Sequence, residues 1–166
     1  MDKPVLAALW RGRKTALMLA LTAVLLAAFA SVAYAATFDG TSGPDRFIGT
    51  PQTDRAVMKG GNDLARGLGN ADFLFGNADD DRLYGNDGSD FLNGGTENDL
   101  LVGGNGEDEL VGSFGNDTIY TGTTTEGDKA PDEVQCGAGE DTVILSGNDH
   151  ASHNTQADRC EIIEHY

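Results

Sequence analysis

The sequence predicts an all-β protein, a solenoid in which short repeats stack through parallel strands. The main observation is periodicity, because the chain divides into nine units of nine residues between Gly40 and Tyr120, without insertion or deletion. The sixth residue of every unit is Asp and the eighth is apolar. Recurrent glycine and the lack of apolar residues at three- or four-residue spacing exclude helices. A low-complexity tract would drift in phase, and this array does not.

Two positions of the unit are therefore fixed. The sixth-position aspartates are Asp45, Asp54, Asp63, Asp72, Asp81, Asp90, Asp99, Asp108 and Asp117. The eighth-position apolar residues are Phe47, Ala56, Ala65, Leu74, Leu83, Leu92, Leu101, Leu110 and Ile119. The first position is Gly in every unit except the third, where Met58 stands.

Each unit predicts one strand and one turn. Its last three residues alternate out, in and out, and its first six form a turn. Gly or Asn at the first and fourth positions of the turn permits positive φ and close approach of the backbone. A single unit cannot bury an apolar face, but copies stacked about 4.8 Å apart form an inner ladder. Because every turn reverses the chain, the turns of odd-numbered units stack on one edge and those of even-numbered units on the other.

The stacked aspartates predict a bound cation. Each carboxylate would meet like charges above and below it, which is costly unless a cation lies between them. Oxygen ligands, flexible loops and many backbone carbonyls suit Ca²⁺ better than Mg²⁺, which demands strict octahedral geometry.

The unit also matches a known pattern, G-G-x-G-x-D-x-U-x, which residues 103–111 fit at every fixed position. The array thus resembles the repeats-in-toxin (hemolysin-type) family of calcium-binding nonapeptide repeats. The resemblance implies a right-handed parallel β-roll with Ca²⁺ between successive turns, held by the sixth-position aspartates and turn carbonyls. Five stacked turns on one edge leave four gaps and four on the other leave three, so we expect about seven ions at most in the main array.

Several residues depart from the pattern. They are Gln52, Ala56, Met58, Ala65 and Glu97. We therefore expect weak sites near units two and three, and the best sites between Asp72 and Asp117.

The first 35 residues predict a cleaved secretory signal. They combine four basic residues, an apolar run over 16–30 and the cleavage motif Ala33-Tyr34-Ala35. A retained membrane anchor is the alternative, but an apolar run of about 15 residues is short for a span. Cleavage predicts a secreted bacterial protein that starts at Ala36 and has no membrane span.

Removal of residues 1–35 leaves 7 basic against 26 acidic side chains, a formal net charge of −19. Such a surface repels nucleic acid and anionic lipid. An acidic, Gly-rich chain with few aromatics is typical of disorder, so the carboxylates need neutralising before the chain folds.

The repeat domain spans residues 36–120. The chain that follows it predicts a loop and a cap. Residues 121–135 break the phase and predict a surface loop, whereas residues 136–166 begin with a repeat-like turn in which Asp141 is a further candidate calcium ligand. Export predicts a disulfide between Cys136 and Cys160, with two free thiols as the alternative. The segment resembles the C-terminal end of some secreted bacterial proteins with these repeats, and implies a cap over the last coil.

Three histidines close to the C-terminus raise the question of a transition-metal site. His150, His153 and His165 lie near Asp149 and Asp158. A solvated polar loop is the favoured interpretation. The pair His150-x-x-His153 has neither a third histidine close in sequence nor a predicted helix around it, as a metal site would need.

Function is predicted as calcium binding by an extracellular module that folds on Ca²⁺. No catalytic motif is present, which predicts a protein that is not an enzyme. The alternative is a structural or adhesive protein; ice binding is disfavoured, because only Thr41 and Thr50 share a turn position. Outward-facing apolar rows predict self-association or a cell-wall partner. Their members are Val57, Phe73, Phe75, Phe91 and Val111 on one sheet, and Leu64, Tyr84, Leu100, Val102 and Tyr120 on the other.

Overall fold

The computed structural model describes residues 34–122, 130–146, 149–151 and 159–165. The chain forms two units, 1–33 and 34–166, and the described residues all belong to the second. The predicted signal peptide therefore lies outside the described residues, apart from its last two positions. In the described part of the chain, no helix has the length and apolar character needed to cross a membrane.

The described residues form fourteen strands. They are β1 (Thr37–Asp39), β2 (Arg46–Ile48), β3 (Arg55–Gly60), β4 (Leu64–Gly69), β5 (Phe73–Ala78), β6 (Arg82–Asp87), β7 (Phe91–Thr96), β8 (Leu100–Asn105), β9 (Glu109–Phe114), β10 (Thr118–Gly122), β11 (Glu133–Ala138), β12 (Glu140–Ser146), β13 (His150–Ala151) and β14 (Arg159–His165).

The strands build two parallel sheets of seven strands each. Sheet 1 has the order β1-β3-β5-β7-β9-β11-β13, and sheet 2 has the order β14-β12-β10-β8-β6-β4-β2. Each strand pairs with the next but one along the chain, so that Leu74 lies beside Leu92, one coil of 18 residues away. The predicted all-β parallel β-roll, with two units to a coil, is confirmed. We name the two turn columns the odd edge and the even edge, after the numbers of their units.

The core is the inner ladder of eighth-position side chains. All nine are buried, and the leucines from Leu74 to Leu110 have no exposed surface. The two alanines at 56 and 65 belong to the same cluster as Met58, which is also fully buried. Met58 therefore supplies apolar volume where the ladder has its smallest members, and the departures from the repeat pattern at these three positions compensate one another.

The strands are longer than the three residues that the pattern predicts. Most contain six residues, because the first three positions of the following unit continue the strand. Positive φ falls at the second and fourth positions, for example at Leu68 (φ 89°) and Asn70 (φ 63°), and not at the first. The expected positive φ is therefore wrong for the first position, whereas the expected close approach is observed there, as at Gly76.

The segment 121–135 differs from the predicted surface loop at both of its ends. Thr121 and Gly122 belong to β10, and β11 begins at Glu133. Asp132 and Val134 are buried in the roll like the sixth and eighth residues of a unit. The phase appears broken in the sequence because extra residues separate these positions from Thr121; residues 123–129 lie outside the described part of the chain.

The C-terminal strands extend both sheets and carry the predicted disulfide. Cys136 lies in β11 and Cys160 in β14, and their sulfurs are bonded. Cys136 occupies a first position, where glycine is the rule. Among the described residues, β13 pairs only with Glu133 and Val134 of β11, so no described strand pairs with β11 at Cys136.

Two glycines of strand β4 give a matched test of this packing. A Cβ on Gly67 would lie 2.1 Å from Oδ2 of Asp72 and 2.9 Å from the carbonyl oxygen of Gly85, whereas a Cβ on Gly69 would have no neighbour closer than 3.8 Å. We expect Gly67→Ala to lower the free energy of unfolding by about 1–3 kcal/mol, and Gly69→Ala to leave it within about 1 kcal/mol of wild type. Urea denaturation in calcium-containing buffer measures both, and equal effects of the two substitutions would contradict the packing.

Candidate metal centre

The aspartates form two columns, one along each edge of the roll. The odd edge stacks Asp45, Asp63, Asp81, Asp99, Asp117 and Asp141, and the even edge stacks Asp54, Asp72, Asp90, Asp108, Asp132 and Asp149. All ten residues predicted as calcium ligands thus lie in the columns. From Asp54 onward, the side chains of the column aspartates are at most 9% exposed.

One oxygen of each carboxylate is held by the neighbouring coil. The backbone N–H of each aspartate donates to Oδ1 of the aspartate one coil further on, at 2.8 Å from Asp81 to Asp99 and 2.9 Å from Asp99 to Asp117. The same bond recurs along both columns, to Asp141 on the odd edge and to Asp149 on the even edge. Because Oδ1 is fixed in this way, the direction of Oδ2 is fixed as well.

The second oxygen is buried without a hydrogen-bond partner in most of the array. This holds for Oδ2 of Asp63, Asp72, Asp81, Asp90, Asp99 and Asp117. Buried polar atoms in native proteins are nearly always satisfied, and an unpaired buried carboxylate oxygen is especially costly. A periodic row of such atoms therefore indicates a missing positive partner.

A backbone oxygen lies next to these carboxylate oxygens. A Cβ built on Gly76 would be 2.3 Å from Oδ2 of Asp81 and 2.5 Å from the carbonyl oxygen of Gly94 in the next coil. Only glycine leaves this oxygen-lined space open. Among the described residues, no three Asp, Glu, His or Cys side chains gather at one point, so an ion here would need backbone carbonyls as additional ligands. Mixed carboxylate and carbonyl oxygens fit Ca²⁺.

Comparison with known proteins agrees with this chemistry. A protein-family profile described as RTX calcium-binding nonapeptide repeat (4 copies) matches residues 59–92 and 84–119. Residues 59–119 of the array thus match the RTX calcium-binding nonapeptide repeat family. Members of this family bind calcium through a β-roll, which is the fold observed here. Neither a search of curated proteins nor a search of solved structures gives a match.

The first aspartate of each column differs from the interior aspartates in the hydrogen bonds of its Oδ2 atom. Oδ2 of Asp45 accepts hydrogen bonds from N–H and Oγ1 of Thr41, at 2.6 and 3.0 Å. Oδ2 of Asp54 accepts the N–H of Thr50. Neither threonine has positive φ, unlike the second residues of the later units. Both aspartates were predicted as ligands, but protein donors already satisfy the oxygen that is open elsewhere.

The even column of the RTX roll ends in the same way. Oδ1 of Asp149 accepts a hydrogen bond from the N–H of Asp132, and Oδ2 accepts hydrogen bonds from the hydroxyls of Thr121 and Ser146. The odd column ends at Asp141, whose neighbour in the next strand is Cys160 of the disulfide. Both columns therefore begin at threonine donors. The even column ends at hydroxyl donors, and the odd column ends beside the disulfide.

Sequence reasoning missed Asp132 as a member of the even column. The signal was present, since Asp132-Glu133-Val134-Gln135 directly precedes the repeat-like turn at Cys136 and has the Asp-x-apolar-x form. The histidine hypothesis is not addressed, because the side chains of His150, His153 and His165 lie outside the described residues. Asp149, which that hypothesis invoked, contacts Thr121, Ser146 and Asp132 instead.

Burial raises the pKa of five interior column aspartates, and neighbouring carboxylates add to the rise. The pKa of Asp99 rises to about 8, that of Asp81 to about 7 and that of Asp117 to about 6. On the even edge the pKa of Asp72 rises to about 7 and that of Asp90 to about 6. In each case loss of solvation is the largest cause, opposed by the N–H bond to Oδ1. The roll without metal therefore binds protons in place of cations.

These raised pKa values predict that acid replaces calcium. The folded state holds protons that the unfolded chain releases above its ordinary pKa of 3.8, so the stability of the calcium-free roll is greatest below about pH 4 and is lost as pH rises through 6–8. In chelator, we expect far-UV circular dichroism to show more β-structure at pH 4 than at pH 8. More β-structure at pH 8 than at pH 4 would contradict this reasoning.

A pair of neutralising substitutions separates this effect from general charge reduction. Asp99→Asn keeps the shape of a buried column carboxyl and removes its charge, whereas Glu107→Gln removes one charge from an exposed side chain. At pH 8 in chelator, Asp99→Asn should stabilise the roll and Glu107→Gln should have little effect.

Proposed function

We propose that this protein is a secreted calcium-binding module whose β-roll folds when Ca²⁺ binds between its turns. The observation that carries the proposal is the row of buried Oδ2 atoms without a hydrogen-bond partner, repeated coil after coil on both edges. A row of this kind would only destabilise a protein that folds by apolar burial alone.

The charge balance explains why folding and binding are coupled. Without a cation, each edge of the folded roll brings buried carboxylates of one sign to a spacing of about 4.8 Å. Their raised pKa values mean that ionising them at neutral pH works against the folded state. Calcium removes that penalty only in the folded state, because the unfolded chain does not bring the oxygens together.

The interior aspartates are the proposed ligands. Oδ2 of Asp63, Asp72, Asp81, Asp90, Asp99 and Asp117 would contact the ions, together with turn carbonyls. Asp108 and Asp141 continue the same columns and complete the proposed set. Asp45 and Asp54 hold the first coil through threonine instead, so we assign them a structural part. Bound Ca²⁺ supplies charge neutralisation and cross-links adjacent coils.

A secreted setting supports the proposal. The N-terminal sequence has the form of an export signal, and the Cys136–Cys160 disulfide is stable in oxidising compartments. Extracellular calcium modules work at millimolar concentrations, whereas cytosolic calcium is far too low for sites of that affinity. Export would therefore act as the trigger for folding.

A second candidate function is structural or adhesive, with calcium only as a structural element. The outward apolar side chains favour it, since Phe73 is 45% exposed and Phe114 is 65% exposed. The two functions are compatible, because a surface formed by the strands exists only when the roll is folded. We propose no catalytic activity.

Circular dichroism with and without calcium tests the proposed function. At pH 7.5 we expect the mature chain, residues 36–166, to be mostly coil in chelator and to gain β-structure at about 0.1–10 mM Ca²⁺, with much less effect of Mg²⁺. Equal β-structure in chelator and in calcium at this pH would exclude coupled folding.

Two aspartates provide matched variants for this titration. Asp99→Ala removes an open Oδ2 and should raise the midpoint of calcium-induced folding strongly, by about tenfold or more. Asp54→Ala removes a carboxylate whose Oδ2 is bonded to Thr50, so it should lower stability at any calcium concentration with a smaller shift of the midpoint. The reverse order of midpoints would refute the assignment of ligands.

A further inference from the structure

The outer face of sheet 1 carries a row of side chains whose charge changes sign along the roll. The row occupies the seventh position of the even-numbered units and consists of Arg55, Phe73, Phe91, Glu109 and Glu133, which are neighbours in this order in adjacent strands. Its first member is basic, its next two are aromatic and its last two are acidic. We call it the Arg–Phe–Glu row.

The centre of the row is an aromatic cluster. The ring centroids of Phe73 and Phe91 are 6.5 Å apart, and those of Phe75 and Phe91 are 5.5 Å apart. The adjacent row on the same face continues the apolar surface with Val57 and Val111, both half-buried. Phe73 and Phe91 are direct neighbours in the adjacent strands β5 and β7.

Within the described residues, neither charged end of the row belongs to an ion pair. Across the described residues, the single ion pair joins Lys59 to Asp39, so it involves neither end. The guanidinium of Arg55 lies 5.4 Å from the ring centroid of Phe75, which holds it on this face. Glu109 and Glu133 are exposed and directly opposite each other in adjacent strands, where like charges destabilise a sheet.

We propose that this face binds a second copy of the same chain, about a two-fold axis that runs parallel to the strands between β5 and β7. A two-fold interface must be self-complementary, so each residue meets the partner residue at the mirrored position of the row. With rows spaced about 4.8 Å apart, this axis brings Arg55 to Glu109 of the partner subunit and Phe73 to Phe91 of the partner subunit.

The neighbouring row on the face is compatible with this axis. It reads Val57, Phe75, Asn93 and Val111 across the strands β3, β5, β7 and β9. The same rotation brings Val57 to the partner's Val111 and Phe75 to the partner's Asn93, and no pair of like charges comes together. An axis on β5 would instead oppose Arg55 to a phenylalanine, and an axis on β7 would oppose Phe73 to a glutamate.

A second copy is favoured over another partner because the chain itself supplies an acidic complement for Arg55 and an aromatic complement for Phe73. An unrelated protein or a polysaccharide would have to provide both an acidic and a basic group on either side of an aromatic patch. The proposal depends on the folded roll and not on which oxygens hold calcium, so it is tested on calcium-loaded protein produced from the complete sequence.

Sedimentation velocity over a range of concentrations tests the dimer. We expect wild type to dimerise, and Arg55→Glu to raise the dissociation constant at least about tenfold, because glutamates would then face each other. Glu109→Arg should weaken the dimer in the same way, by opposing two arginines. The double charge swap, Arg55→Glu with Glu109→Arg, should restore it. Arg82→Glu, on the outer face of sheet 2, is the matched control and should leave dimerisation unchanged.

Circular dichroism of each variant in calcium confirms that the roll is intact, so that a lost dimer is not a lost fold. A wild type that stays monomeric up to about 100 μM would overturn the proposal, since a stable interface of this kind binds at micromolar concentrations or below. A dimer that survives both single charge reversals would also overturn it. So would a double swap that fails to restore a dimer lost in the singles, because the pairing of Arg55 with Glu109 would then be wrong.

Discussion

The fold depends on how each aspartate divides its two carboxylate oxygens. Oδ1 accepts the N–H of the aspartate one coil earlier, which ties adjacent coils together without metal. Oδ2 is buried beside a glycine and a carbonyl oxygen, where it lacks a protein donor through most of the array. The inner leucine ladder is narrow, and an apolar core of one side chain per strand cannot offset two rows of buried charge. In the proposed function, cation binding offsets this buried charge and so stabilises the roll.

At three of the four column ends, protein groups supply the hydrogen bonds that Oδ2 lacks in the interior. At the start, threonine donors satisfy the second oxygen of Asp45 and Asp54, and at the end of the even column hydroxyl groups satisfy Asp149. The odd column ends beside a disulfide. A terminal turn has no neighbour on one side and cannot complete a site that needs two coils. Protein donors and a covalent bond therefore contact the terminal aspartates where the stack stops, in place of the ion that we propose for the interior.

Much of this architecture follows from the phase of the repeat. Period and parity predict the two columns, the inner ladder and the contact between Phe73 and Phe91, because all three depend only on which residues are 18 apart. The sequence does not separate Asp54 from Asp72, since both are sixth-position aspartates. The difference arises from the second residue of the unit, which is threonine without positive φ in one case and Leu68 with positive φ in the other. Asp132 was missed because inserted residues hide its phase. Positive φ at the second position of units three and four could not be foreseen, because Lys59 and Leu68 are not residues that favour it.

The most direct test of the central claim is the anomalous scattering of calcium in crystals of the protein grown with Ca²⁺. The account predicts peaks beside Oδ2 of Asp72, Asp81, Asp90, Asp99 and Asp117, each within about 2.3–2.6 Å of carboxylate and carbonyl oxygens. It predicts no peak at Oδ2 of Asp45, Asp54 or Asp149. An ordered roll in which the interior Oδ2 atoms lack a calcium peak, or in which ions occupy the threonine-bonded ends instead, would contradict it.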